Sequence, residues 1–277
     1  MALIGKRITP DEGLSDVIGH FYILVTPKES DPETQHLSPS LEMVIVFNFG
    51  VPVSFSYGAE PVGARQFERI AIFGPLRKML NYEIKGGTDL LAIPFIYNGF
   101  YRFMSVLNED RDYGDLTENL ALSYTLHLEK LWEYLSATPS PEERVGKLQQ
   151  YLMNEIPHSE PAAISLLDNI PELHQRVRNP VSLMAEKTAL TERTIQLRFK
   201  KYVGYSPKEL LRFLRFKQVL SFIARNQQSR IDWFEIILKY GYHDQSHLIK
   251  DFKHYTGVSP NHFLKLSDEG SFCINRD

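Results

Sequence analysis

The chain has 277 residues, 43% of them hydrophobic and 23% charged, with a formal net charge of −3. This excludes a disordered or fibrous chain and leaves room for two domains of ordinary size. Cys273, the one cysteine, can form neither an internal disulfide nor a thiolate-rich zinc site.

The opening, MALIGKRITPDEG, reaches Asp11 and Glu12 without a long apolar stretch. It reads as no secretory signal, and a cytoplasmic location is expected. Residues 1–112 read as a β-rich domain, a barrel or a sandwich. Phe21–Val25 and Met43–Phe47 are rich in β-branched and aromatic residues, and Pro27, Pro32, Gly50-Val51-Pro52, Gly58, Gly63 and Gly86-Gly87 punctuate the segment. The run from Met43 to Tyr57 is broken by Asn48, Gly50 and Pro52, so it cannot span a bilayer as a helix, and no membrane partner is expected. A further apolar stretch, Asp89 to Phe103, is broken by Pro94 and Asn98-Gly99. The aromatic residues of this half either fill a barrel core or line a binding site. Tyr82 and Tyr97 are the candidate effector-binding residues, because a buried phenol needs a partner. His20 and His36 precede His127 without any His-x-His pair, so neither metal nor cofactor is expected.

Residues 113–156 read as a helical dimerisation or linker region. Leu120, Tyr124, Leu128, Leu131 and Leu135 recur at helical spacing, as either a surface packed within the chain or a dimer seam. Ser140-Pro141-Glu142-Glu143 predicts a helix start, with Ser140 as N-cap and Glu143 completing a capping box, and the helix runs to about Asn154. Ile156 to Pro161 is the best linker. Residues 160–265 read as helices joined by short turns, with a tail over 266–277.

The small net charge conceals a division. Residues 176–265 hold 17 Lys and Arg against 7 Asp and Glu, whereas residues 1–175 hold 13 against 24. A basic half joined to an acidic one points to a polyanionic partner. Within the basic half, Phe199 to Pro207 repeats as Phe252 to Pro260, 53 residues later, with Phe, Lys, Tyr, Gly, Ser and Pro retained. Each copy ends a helix in glycine, which accepts the left-handed C-terminal conformation. Each comes after a shorter helix and a tight turn: Val181 to Glu186 with Thr188-Ala189-Leu190, and Trp233 to Tyr240 with Gly241-Tyr242-His243. Thr191 and Asp244 are the matching N-caps, and a helix from Leu210 to Ala224 joins the two units. Two helix-turn-helix units are therefore expected.

In the first unit Ile195 and Phe199 anchor the second helix. Arg193, Thr194, Gln196 and Leu197 face a groove, with Arg198, Lys200 and Lys201 near phosphates. In the second, Leu248 and Phe252 anchor it. Gln245, Ser246, Ile249 and Lys250 face the groove, flanked by His247 and Lys253. Arg, Lys and Gln read base edges, and basic residues neutralise phosphates. His243 and His247 stand four apart, as zinc ligands can, but Asp244 is the one further ligand nearby, and the helix-turn-helix context explains them better.

Gly241-Tyr242-His243-Asp244-Gln245-Ser246-His247, Phe252-Lys253 and Gly257-Val258-Ser259-Pro260 resemble the DNA-binding domain of the AraC/XylS family of bacterial transcription regulators. The resemblance implies recognition helices in neighbouring major grooves, with base contacts at Arg193, Gln196, Leu197, Gln245, Ser246 and Lys250. Leu197 stands where many members carry Arg, so it would pack on a thymine methyl rather than read guanine. The N-terminal half is similar to the family's sensor domains, which implies a cupin-like barrel with helices that form dimers. The whole reads as a multi-domain, one-component regulator of transcription, with a β-rich barrel followed by an all-α domain of two helix-turn-helix units. Its expected partners are double-stranded DNA, a small-molecule effector, RNA polymerase and a second copy of the chain. No Gly-x-Ser-x-Gly, phosphate-binding loop or dinucleotide fingerprint occurs, so no enzymatic activity is expected. The alternatives are a DNA repair or modifying enzyme with a helix-turn-helix appendage, and a sensor domain that has lost its ligand and acts through protein contacts.

Overall fold

The computed structural model describes residues 4–63, 65–107, 125–168, 170, 180–226, 231–268 and 272–273. Nine strands come first: β1 (Ile4–Ile8), β2 (Phe21–Val25), β3 (Glu33–Leu37), β4 (Met43–Asn48), β5 (Val53–Tyr57), β6 (Arg65–Phe67), β7 (Ile70–Phe73), β8 (Leu80–Ile84) and β9 (Asp89–Phe95). One sheet runs β1-β2-β9-β4-β7. The second runs β3-β8-β5-β6, extended beyond β3 by a two-residue strand, β10 (Phe272–Cys273). Pairings among the first nine strands are antiparallel; β10 joins β3 in parallel.

The apolar run Met43–Asn48 is buried on both faces, because successive side chains of a strand point to opposite sides. Val44 and Val46 face inward with Leu24, Leu90, Val53, Phe73 and Leu80 from both sheets. Met43, Ile45 and Phe47 face outward into a second cluster. Glycine is required at Gly50, where a Cβ would stand 2.2 Å from the Gly87 carbonyl oxygen. The neighbouring Asn48 amide holds that turn through the carbonyls of Val51 (2.9 Å) and Glu68 (2.7 Å).

Helices cover the outer face. These are α1 (Gly99–Leu107), α2 (Thr125–Ser136) and α3 (Pro141–Glu155). Part of the expected Asp89–Phe103 stretch is thus helical: Phe100, Phe103 and Met104 recur at helical spacing and are buried against the sheet. Leu128, Leu131 and Leu135 of α2 pack there too, with Val145, Leu148 and Leu152 of α3. That stripe therefore packs within the chain, while Leu120 and Tyr124 lie outside the described residues. The Ser140 hydroxyl accepts from the Glu143 amide as expected (3.3 Å). Arg144 grips Asp89 with two hydrogen bonds of 2.7 and 2.8 Å and stacks over Phe49.

The C-terminal half contains α4 (Pro161–Leu167), α5 (Pro180–Thr188), α6 (Glu192–Val203), α7 (Pro207–Arg225), α8 (Trp233–Tyr240), α9 (Gln245–Thr256) and α10 (Pro260–Asp268). Their apolar faces close over Phe199, Phe216, Phe252 and Phe263, all fully buried. The joining helix, α7, starts three residues earlier than its apolar pattern predicts. Ser206 and Glu209 cap it reciprocally, and Pro207 occupies the first turn.

Candidate nucleic-acid interface

Two helix pairs, α5/α6 and α8/α9, form the candidate interface. Thr191 caps α6 by accepting from the Thr194 amide (3.1 Å), and Asp244 caps α9 by accepting from the His247 amide (2.8 Å). Both helices end in a left-handed glycine, Gly204 and Gly257, each with φ of 79°. The repeat seen in the sequence is thus a repeat of helix, turn, N-cap, helix and C-cap. Ile195, Phe199 and Tyr202 fix α6 to the core, and Leu248, Phe252 and Tyr255 fix α9 at the equivalent positions.

Anchoring one face commits the other to solvent. Arg193, Gln196, Leu197 and Lys200 are exposed on α6, and Gln245, Ser246, Lys250 and Lys253 on α9. Thr194, Arg198, His247 and Ile249 are half-buried. Thr194 shares a hydrogen bond with the capping Thr191 hydroxyl (2.8 Å). Leu197 is 58% exposed, a large apolar side chain on an otherwise polar surface. Lys201 is placed differently from its neighbours: its ammonium lies over the rings of Tyr101 and Tyr202 and 3.8 Å from Glu160.

Sequence reading missed the network that holds α9 against α7. Asp251 is fully buried and accepts from Arg212 Nε (2.8 Å) and Arg215 Nη2 (3.2 Å). Arg215 also meets His247 Nε2 at 3.1 Å and lies over the Tyr242 ring. Because a guanidinium only donates, His247 Nε2 accepts there, which places the neutral ring's proton on Nδ1. Burial and then Asp251 push the Tyr242 phenol up, and burial followed by Arg212 pulls His254 down.

The barrel holds the second candidate site, a cavity of about 140 Å³ between its sheets. Its lining is mostly apolar, including Val46, Phe73, Leu80 and Tyr82, with Arg7, His20 and Glu42 as charged or titratable members. Burial, and then Arg7, lower the His20 pKa. Tyr82, one of the two candidate effector-binding residues, lines this cavity. Tyr97, the other, is not among the lining residues: it lies in the turn after β9 with φ of 49° and is 54% exposed. Among the described residues, no cluster of His, Cys, Asp and Glu could hold a metal, and no helix is long and apolar enough to cross a membrane.

Two capped and anchored helix-turn-helix units in a basic domain define a DNA-binding protein. Residues 184–266 match the family model described as "Helix-turn-helix domain", and residues 6–109 match a "Domain of unknown function (DUF6597)". A search of curated proteins finds no match. Similar solved structures include fatty acid-bound ToxT of Vibrio cholerae (12% identity; 88% of this chain and 94% of that one; TM-score 0.39) and the AraC-like activator CuxR (11%; 78% and 79%; 0.27). A protein of Klebsiella pneumoniae with a double-stranded β-helix domain is similar over part of the chain (10%; 34% and 75%; 0.25). The C-terminal segment is thus a helix-turn-helix domain, and the protein is a DNA-binding transcription regulator.

Proposed function

We propose that this regulator reads a bipartite DNA site, one half with the N-terminal part of α6 and the other with that of α9. Arg193, Gln196 and Leu197 meet base edges in one major groove, and Gln245, Ser246 and Lys250 do so in the next. Thr194 and Ile249 border these contacts, and His247 donates from Nδ1 at the groove edge. Arg198, Lys200 and Lys253 neutralise phosphates, whereas Lys201, expected beside them, is turned toward Glu160 and the Tyr101 and Tyr202 rings. The observation that carries this reading is the exposure of both polar faces on helices whose opposite faces are anchored identically. The protein works without catalysis, in the cytoplasm, on RNA polymerase and as a homodimer. A small, largely apolar effector occupies the barrel cavity beside Tyr82, whose mostly apolar lining with few polar groups suits such a ligand.

Selection of bound sequences from a random duplex pool, at fixed salt, tests the proposal. Two short blocks about 34 Å apart along the duplex are expected, one helical turn. Arg193→Ala removes preference in one block and Gln245→Ala in the other, each at a cost of about 1–3 kcal/mol. Uniform weakening over all sequences would instead assign these residues to phosphates.

A further inference from the structure

The barrel and the DNA-binding domain meet at the C-terminal ends of both recognition helices. In the loop between β7 and β8, the Met79 amide donates to the Tyr255 carbonyl of α9 (2.6 Å). Two residues earlier, Arg77 donates through Nη2 to the Gly204 carbonyl, the C-cap of α6 (2.8 Å), and through Nε to Glu209 of α7 (3.1 Å). Backbone also meets backbone without room to spare: a Cβ on Gly257, the C-cap of α9, would stand 2.3 Å from the Ala59 amide nitrogen. The β7–β8 loop thus touches both reading heads, and the turn at Gly58-Ala59 backs the end of α9.

That loop is wired to the barrel interior. Leu76, 1% exposed, packs in the inner cluster with Phe73 and Leu80, and those two residues both flank the loop and line the cavity. The Leu76 amide donates to the carbonyl of Glu42, another lining residue (3.0 Å), and its carbonyl accepts from the Leu41 amide (3.2 Å). Leu41 has a φ of 59°, a conformation that costs a branched side chain energy, and its side chain is buried in the DNA-binding domain's own core cluster. A strained residue pushed from one domain into the core of another marks a contact that the surrounding structure enforces.

We infer that residues 74–79 form a latch through which the barrel restrains both recognition helices, and that an occupant of the cavity releases it. The cavity clause rests on the effector reading given above. Closed, the latch fixes two helix ends to a rigid sheet and holds the acidic half beside the basic one, both of which oppose docking on DNA. An occupant pressing on Phe73 and Leu80 displaces Leu76, and with it Arg77 and Met79. The shift in DNA affinity equals the occupant's preference for the open state.

The test uses the full chain and the duplex recovered by selection, followed by anisotropy at fixed salt, with amide hydrogen exchange read at Met79. Arg77→Ala, a change at a partly exposed side chain, is expected to tighten DNA binding about 5- to 10-fold, within the range of ordinary coupling between sites, and to speed Met79 exchange. Arg77→Lys falls between it and the parent. Ala92→Phe, which fills part of the cavity, tightens binding in the parent and adds nothing in the Arg77→Ala background, as expected of coupled changes. Unchanged or weaker DNA binding with Arg77→Ala overturns the latch, and additive effects of the two changes overturn its link to the cavity. Neither outcome touches the base-reading assignment, which stands or falls on the sequence preference of Arg193→Ala.

Discussion

Asp251 shows what a single side chain does in this protein. It carries the charge balance between α7 and α9, and removing it strands Arg212 and Arg215 around a buried void. Asp251→Ala is expected to cost about 3 kcal/mol in urea unfolding, as for a broken buried ion pair. Nothing in the sequence signals this, because Asp251 sits in a polar-looking helix and its partners lie 36 and 39 residues away. The anchors Ile195, Phe199, Leu248 and Phe252 were legible, since the repeat places them at equivalent positions of equivalent helices. Tyr97 stands outside the cavity lining, and a lone tyrosine in the sequence does not reveal its place in the turn after β9. Ala189, with φ of 53° in the first helix-turn-helix, holds a conformation that favours glycine. Ala189→Gly should raise stability by about 0.5–1 kcal/mol, measured as a higher Tm. His20 and His254 both have folded-state pKa values below the ordinary 6.5. The unfolded chain therefore takes up protons more readily, so their contribution is complete above pH 6.5 and is lost as pH falls below it. Unfolding measured from pH 7.5 to 5 should show this loss, and His20→Gln should reduce it.

At the scale of elements, the helix boundaries of the DNA-binding half were readable because caps are local chemistry. Thr191 and Asp244 each satisfy an amide that the helix itself leaves free, so Thr191→Ala and Asp244→Ala should each cost about 1 kcal/mol in thermal unfolding. The barrel strands were readable from their aromatic and β-branched runs, but α1 was not. Its residues Phe100 to Met104 have the composition of a strand, and only contact with the outer face of the sheet selects the helix. The α2 stripe illustrates a different gap: periodicity shows that a face is apolar, not what covers it. Here Leu128, Leu131 and Leu135 are covered by the chain's own sheet.

Over the whole molecule, charge was the most legible property, and it carries a consequence for affinity. The isolated C-terminal half should bind DNA more tightly than the full chain, with a different dependence on salt, because the acidic half no longer repels phosphate; titrations at several salt concentrations check this. The meeting of the two domains was not legible, since it depends on backbone groups such as the Met79 amide and the Gly204 carbonyl, which any residue supplies. The joining helix has a consequence of its own. With 19 residues at 1.5 Å per residue, α7 is about 28 Å long, close to the 34 Å between successive major grooves. It is continuous, so its length changes only in whole residues, and each added residue also turns the second helix-turn-helix unit by about 100° relative to the first. Reach and phase cannot then be adjusted separately: one inserted alanine would leave the two heads almost as far apart as before but aimed at different sides of the duplex. Relatives that bind half-sites at other separations would have to change whole turns of this helix at once, whereas their connecting loops are free to vary.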